Sequence, residues 1–237
     1  MVTPARTVQV VQTTDSEYLG RIEDHLEGRG IRFQYLRPHQ GYGWLPPSAL
    51  SIDVLFLLGG GPYGAGDVNP SPSLERALKL VRDCLASGRP VVGFGLGAQV
   101  LALAGGGGVE TAPLTLRVDR VRRVADDALA GYAPAEWPHI VYMRDRPLPP
   151  PAARVLAVDS SGHPALFQLG ERCFGFTGHP GAKVAMLEDL VMEFDDTPED
   201  VADGLTAARE VQARVEDALV PLMTGLVLAT GLMSPRE

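Results

Sequence analysis

The sequence predicts an α/β fold with a mostly parallel central sheet flanked by helices, an antiparallel extension and a helical C-terminus. Three observations support this prediction. Strands that are apolar almost throughout alternate with amphipathic helices in the first hundred or so residues, as in a sheet covered on both faces. Shorter strands separated by turns follow, and helical spacing then dominates. The 237 residues suit one domain, with its core at about 7–194 and a helical segment at about 195–237.

The elements of the parallel half are predicted from apolar runs, helical spacing and glycine stop signals. In the helix at 16–30, apolar residues recur three or four positions apart, and Gly28 and Gly30 end it. The strand at 54–62 runs into a glycine loop. The predicted strands and helices are, in order, strand 7–12, helix 16–30, strand 31–36, strand 54–62, helix 73–87, strand 90–95 and a helix from Leu96.

The second half predicts strands at 114–124, 139–145, 153–161, 164–170 and 172–181, followed by helices at 185–194 and 197–210. Thr197 is the predicted N-cap of the last helix, with Pro198 at its first position. Apolar residues continue at helical spacing through 211–233, and we expect Pro221 to kink or interrupt that segment. The segment packs either against the core or against a second subunit in a homodimer.

Composition limits the classes of function. A net charge of −8 without a segregated basic patch argues against a nucleic-acid partner. Two cysteines, Cys84 and Cys173, form no disulfide framework and favour a cytoplasmic location. We expect neither a signal peptide nor a membrane span, because no apolar run reaches about 18 residues. No residue spacing resembles a metal site, and we predict no cofactor.

The stretch "VVGFGLGAQVLALAGGGG" (91–108) has the pattern of a nucleophile elbow. An apolar strand ends in a glycine-flanked turn, and a helix follows at once. The residue in the middle of such a turn usually attacks the substrate. Here it is Gly95, which has no side chain.

Four stretches together resemble the class I glutamine amidotransferases, and most closely the free-standing relatives of the glutaminase half of GMP synthetase. They are "DVLFLLGGGP", "GRPVVGFGLGAQVLALAGGG", "LPPPAARVLAVDSS" and "GERCFGFTGHPGAK". The resemblance covers about residues 7–194. It implies a cysteine nucleophile, a histidine that activates it and a glutamate that orients the histidine. These positions hold Gly95, His179 and Gly181, so only the histidine is present.

Other positions also depart from the family pattern. Thr177 and Gly178 replace a glutamine and an aromatic residue, and Met143-Arg144-Asp145 replaces a histidine-glycine-aspartate stretch. The Gly59–Gly61 loop and the backbone N–H of Leu96 remain as the scaffold of an oxyanion hole. Gln99, which holds substrate in relatives, remains as well.

These considerations define the candidate residues. His179 is either a general acid/base or ligand contact, or a relic bonded to the backbone, and Asp145 is a second catalytic candidate. Tyr63, Asp67 and Arg144 are further candidates for the pocket, and Tyr42 and Trp44 for a lid. Surface or loop positions are expected for His25, His39, His139 and His163, and neither cysteine is expected to be a nucleophile. The predicted ligand-binding residues are Gly60, Gly61, Gly95, Leu96, Gln99, Tyr142, Thr177 and His179.

Two functions fit the sequence. In the first, glutamine hydrolysis is lost and the crevice beside Gly95 binds or transforms another small metabolite, for instance in specialised biosynthesis. In the second, the chain is a pseudo-glutaminase subunit that regulates a synthetase or another protein. The state of the crevice distinguishes them, because the first function needs an open site with convergent polar groups, whereas bulk from Phe94, Met143 or Thr177 would close it.

Overall fold

A computed structural model describes residues 6–40 and 44–234. Within these residues a nine-stranded sheet runs through the molecule, and helices lie on both of its faces. The strands are Thr7–Val11 (β1), Arg32–Leu36 (β2), Val54–Leu57 (β3), Val91–Phe94 (β4), Gly108–Glu110 (β5), Thr115–Arg123 (β6), Glu136–Met143 (β7), Arg146–Leu148 (β8), Arg154–Val158 (β9), Pro164–Leu169 (β10) and Cys173–Phe176 (β11). The helices are Arg21–Glu27 (α1), Leu74–Ala86 (α2), Leu96–Ala104 (α3), Val184–Glu193 (α4) and Val201–Thr230 (α5).

The sheet has the order β2-β1-β3-β4-β11-β10-β9-β6-β7. Its first five strands are parallel, and the strands from β10 to β7 pair antiparallel, which confirms the predicted parallel half and antiparallel extension. Strands β5 and β8 form a separate pair. The loop after β3 and the turn after β4 therefore meet at the carboxyl edge of the sheet, where folds of this class bind ligands.

Apolar side chains from the helices form a core on each face of the sheet. Helices α1 and α5 cover one face, and α2 and α3 cover the other. The apolar residues predicted to pack at the C-terminus are all buried in this chain: Val215, Leu219, Leu222, Met223, Leu226 and Val227. They are therefore core residues of this chain, as the first of the two alternatives expects.

Two helix boundaries differ from the prediction. Helix α1 begins at Arg21 rather than near Ser16, because Gly20 has a φ of 60° and the N–H of Arg21 bonds to the carbonyl of Gly181. Residues 16–20 thus cross the edge of the sheet as a loop. Helix α5 begins at Val201, so Thr197 and Pro198 lie before it. Just before this segment, Arg144 pairs with Asp196 at 2.6 Å.

The expected interruption at Pro221 is wrong. Helix α5 continues through this residue to Thr230, because buried side chains on both sides of Pro221 anchor the helix to the core. None of the described helices has the length and apolarity needed to cross a membrane.

Candidate functional site

The elbow predicted from the sequence is present at the end of β4. Gly95 has a φ of 53° and its N–H bonds to the carbonyl of Phe176 at 2.9 Å, and α3 begins at the next residue. A Cβ built on Gly95 would lie 3.4 Å from the Cα of Gly59, which is ordinary contact. The turn thus has room for a small side chain, and glycine keeps it without the strain that other residues have at positive φ.

The crevice beside the elbow is closed. Four predicted ligand-binding residues meet there: Gly95, Tyr142, Thr177 and His179. Glu17 and apolar side chains of α4 fill the remaining space, which leaves about 10 Å³ for the centre of a water molecule. Such a volume holds at most about one water molecule. No small metabolite fits the crevice in this state.

Glu17 is the residue that sequence analysis missed. Its carboxylate Oε2 accepts a hydrogen bond from the N–H of Gly61 at 3.0 Å. The same side chain lies so close to Gly59 that a Cβ on that glycine would be 1.8 Å from Oε1. A carboxylate of the protein therefore occupies the donor that an oxyanion hole would offer to a substrate.

The segment that carries Glu17 is held at several points. The carboxylate of Glu193, at the end of α4, accepts bonds from the backbone N–H groups of Asp15 and Ser16 at 3.1 and 2.8 Å. The N–H of Glu17 bonds to the hydroxyl of Thr14. Complete burial raises the pKa of Glu17 to about 7, and the negative charge of Glu193 adds to the shift. The group is thus poised to titrate near neutral pH.

His179 is locked by the backbone. Its Nδ1 accepts a bond from the N–H of Gly181 at 3.2 Å, so this nitrogen carries no proton. Its Nε2 lies 2.9 Å from the carbonyl of Tyr18 and must donate to it. Burial lowers the pKa of His179 to about 4, and the neutral ring stacks on Phe94. Both nitrogens bond to backbone groups, which is the arrangement expected of a backbone-bonded relic, and the general acid/base role stays a prediction.

The position of the missing glutamate has no room for a side chain. A Cβ on Gly181 would lie 2.7 Å from Cγ1 of Ile22 and 3.0 Å from its backbone nitrogen. The beginning of α1 thus fills the volume that the third member of a triad would need. The same segment also supplies the carbonyl of Tyr18 that holds His179.

His139 corrects another prediction. It was expected at the surface or in a loop, but it lies on β7 with 2% exposure, and its Nε2 is 2.8 Å from the hydroxyl of Thr177. Burial lowers its pKa to about 4, and the nearby Arg117 contributes. The apolar residues that follow it, "IVYM", were the available signal that this strand is buried. The hydroxyl of Thr177, which lines the crevice, therefore shares a hydrogen bond with the ring of His139.

Gln99 and Asp145 hold loops together. The amide of Gln99 accepts a bond from the N–H of Ala65 at 2.8 Å and donates to the carbonyl of Arg144 at 2.6 Å. The carboxylate of Asp145 accepts bonds from the N–H groups of Gly66 and Ala112, both at 3.2 Å. Neither side chain lines the crevice. In this structure both side chains bond to loop backbone, and the ligand-binding role of Gln99 and the catalytic role of Asp145 stay predictions.

The three remaining ligand candidates of the oxyanion scaffold are Gly61, Gly60 and Leu96, and they differ. Gly61 faces the crevice through its N–H, which Glu17 occupies. Gly60 packs on Leu96, since a Cβ there would lie 2.5 Å from Cδ2 of Leu96. The side chain of Leu96 belongs to the apolar core under α2 and α3.

The other candidates lie around the crevice or away from it. Tyr63 packs edge-on against Phe194, and Arg144 bonds to the carbonyl of Pro62 at 2.8 Å. Asp67 is exposed in its loop and Trp44 is 61% exposed. The other lid candidate, residue 42, lies outside the described residues.

The environment of both cysteines disfavours the thiolate form. Both are buried, and burial raises the pKa of Cys84 to about 12 and that of Cys173 above its usual value. Among the described residues, no group of three or more histidine, cysteine or acidic side chains is arranged to hold a metal ion.

Neither a family model nor a curated protein sequence matches the chain. Solved structures, by contrast, do match the chain. The protein SMU.1228c has a TM-score of 0.80 at 20% identity, over 94% of this chain and 99% of that one. A glutamine amidotransferase from Methylobacillus flagellatus has a TM-score of 0.70 at 24% identity, over 91% and 96%. Another, from Thermotoga maritima, has a TM-score of 0.70 at 20% identity, over 97% and 95%. The chain therefore has the fold of the class I glutamine amidotransferases.

Proposed function

We propose that this chain, on a class I glutamine amidotransferase fold, has lost glutamine hydrolysis and acts as a pseudo-glutaminase subunit that binds and regulates a synthetase or another protein. The observation that carries the proposal is the carboxyl group of Glu17 on the N–H of Gly61, in a crevice with no room for a substrate.

Each requirement of the cysteine mechanism is missing or occupied. Gly95 offers no thiol, so no thioester forms. His179 has no nitrogen free to accept a proton, because backbone groups bind both. The oxyanion donor is bound to Glu17. What remains for function is the surface of a well-packed domain, and the sequence resemblance to the glutaminase half of GMP synthetase favours a synthetase as its partner.

The test combines an activity assay with a binding assay. We expect no glutamate release from glutamine above a His179→Ala control. We also expect a synthetase-type enzyme to copurify with the tagged protein in an equimolar amount after cross-linking in its source cells. Glutamate release that the histidine substitution abolishes would refute the loss of hydrolysis. Recovery of the chain without any stoichiometric protein would refute the subunit role.

A second candidate function, the repurposed crevice, is favoured by one observation. The hydroxyl of Tyr142 is buried beside Glu17 and has no hydrogen-bond partner within 6–40 and 44–234. If Glu17 swings out, this hydroxyl and the N–H of Gly61 become two polar groups facing one cavity, which suits a small carboxylic acid or amide.

Two matched variants separate the candidates. Glu17→Gly vacates the crevice, whereas Glu17→Gln keeps it filled with a side chain of the same shape. If the crevice is a working site, acetate or glutarate raises the melting temperature of the glycine variant and not that of the glutamine variant. If the chain is a binding subunit only, neither acid stabilises either variant.

A further inference from the structure

A second concave surface of the described residues shares no lining residue with the crevice. It is a groove of about 720 Å³ between α5 and the β6–β7 ribbon, a volume within the range of small-molecule sites. Its α5 wall is formed by residues on one face of the helix: Val211, Arg214, Asp217, Ala218 and Pro221. Its ribbon wall includes Val118, Trp137 and Pro138. We call this surface the α5 groove.

Pro221 leaves an acceptor in the wall of the α5 groove. A proline has no N–H, so the carbonyl one turn earlier in the helix, that of Asp217, loses its usual donor. A proline inside a helix costs about 3 kcal/mol, and here it lies within an unbroken helix of 30 residues. Natural proteins break a local structural rule mainly at functional sites, so the carbonyl of Asp217 beside the groove is a candidate acceptor for a ligand.

The charges around the α5 groove leave one cation and one anion unpaired. Arg120 pairs with Glu136 at 3.5 Å, and Asp119 pairs with a neighbouring arginine. Arg214 and Asp217 form no ion pair with any part of the chain that the structure describes. They lie three residues apart on the same helix face and are exposed. The wall therefore offers opposite charges side by side.

The ribbon wall combines an apolar strip with the charged residues Asp119, Arg120 and Glu136, and it contains a further unsatisfied group. Trp137 is 3% exposed, and its indole N–H has no hydrogen-bond partner among the described residues. Pro138 and Val118 extend the apolar surface beside it. Buried polar groups without partners are rare in native proteins, so the indole adds to the unusual polar features at the α5 groove.

We propose that the α5 groove binds a small apolar zwitterion of the amino-acid type. Arg214 pairs with the carboxylate of the ligand. The carboxylate of Asp217, with the carbonyl that Pro221 leaves free, binds the ammonium group. The apolar side chain lies on Trp137 and Pro138. This site is separate from the crevice and does not depend on the function proposed above.

The test uses Trp137 as its own reporter. The chain has two tryptophans, so the Trp44→Phe variant fluoresces from Trp137 alone. The probes are L-phenylalanine, phenethylamine, which keeps only the ammonium group, and 3-phenylpropionate, which keeps only the carboxylate. We expect L-phenylalanine to change the emission with one saturable site.

Substitutions then assign the two charges. Arg214→Gln should weaken L-phenylalanine and 3-phenylpropionate about fivefold, the upper end for an exposed ion pair, and leave phenethylamine unchanged. Asp217→Asn and Pro221→Ala should weaken L-phenylalanine and phenethylamine and leave 3-phenylpropionate unchanged. Two exposed residues outside the groove, Arg82→Gln and Asp203→Asn, serve as charge-matched controls. Circular dichroism checks that each variant is folded.

Two results would overturn the proposal. One is an emission of Trp137 that does not change saturably with L-phenylalanine. The other is a loss of binding in the control variants as large as that in the groove variants. Loss of all three probes in Arg214→Gln, with the fold intact, would also contradict the assignment of separate sites for the two charges.

Discussion

Replacement of Glu17 by glutamine tests whether a carboxyl group is held inside the closed crevice. The side chain is completely buried, and its pKa is raised from 4.5 to about 7. The folded protein therefore binds a proton that the unfolded chain has released between these two pH values. The stability from the protonated group is complete below pH 4.5 and is lost as the pH rises through 7. The shift corresponds to about 3 kcal/mol at 1.36 kcal/mol per pKa unit.

Glutamine preserves the shape of the side chain, and its carbonyl oxygen still accepts the bond from Gly61, but it does not titrate. We expect Glu17→Gln to be close to wild type in stability at about pH 5. Its advantage in the free energy of unfolding should grow by about 2.5 kcal/mol on going to about pH 8.

Urea unfolding at both pH values measures this difference. His139 and His179 titrate in the same range, but they are present in both proteins and cancel. Glu210→Gln, at an exposed site on α5, controls for the loss of one negative charge. A difference between wild type and Glu17→Gln that stays constant from pH 5 to pH 8 would refute the buried, protonatable carboxyl group.

Four further predictions concern stability and assembly. Burial lowers the pKa values of His139 and His179 to about 4, so the stability that they contribute is present above pH 6.5 and is lost towards pH 4, by about 3 kcal/mol each. In urea unfolding, His139→Gln should reduce this loss of stability at acid pH. An unchanged slope of the free energy of unfolding against pH would contradict this prediction. Gly95→Ala should fold, with a free energy of unfolding lower by about 1–2 kcal/mol because residue 95 has a positive φ. Gly95→Leu should lose clearly more stability because the crevice is full. Equal losses in urea unfolding would argue for an open crevice. Pro221→Ala should raise the free energy of unfolding by up to about 3 kcal/mol, and a destabilised variant in thermal melts would contradict the freed carbonyl. Light scattering should give the mass of a monomer, since the apolar residues of α5 lie in the core, and a dimer mass would show another interface.

The sequence predicted the features that depend on local pattern. Apolar runs predicted β1, β3 and β4 as strands of a parallel sheet, and the glycines around Gly95 predicted the position of the elbow. Both depend on residues close together in the chain. The four crevice residues that were predicted correctly to meet follow from the order of the strands and from the resemblance to a known family.

What the sequence did not predict depends on contacts between distant segments. Residues 16–30 have helical spacing throughout, but the helix begins only at Arg21, where Gly20 contacts Gly181. Glu17 therefore lies in the loop before the helix, with its side chain in the crevice. The same contact places the carbonyl of Tyr18 on His179 and fixes its tautomer. Pro221 was expected to kink or interrupt its helix. The helix is not interrupted, because packing of the neighbouring side chains overrides that local preference.

The Gly95→Cys variant restores the thiol and nothing else. It therefore tests whether the crevice is closed and whether His179 can act as a base. We predict no glutamate release above a Gly95→Ala control, and a thiol pKa, measured from the pH dependence of alkylation, at or above the ordinary value of about 8.5. Glutamate release over many turnovers that His179→Ala abolishes would contradict the account.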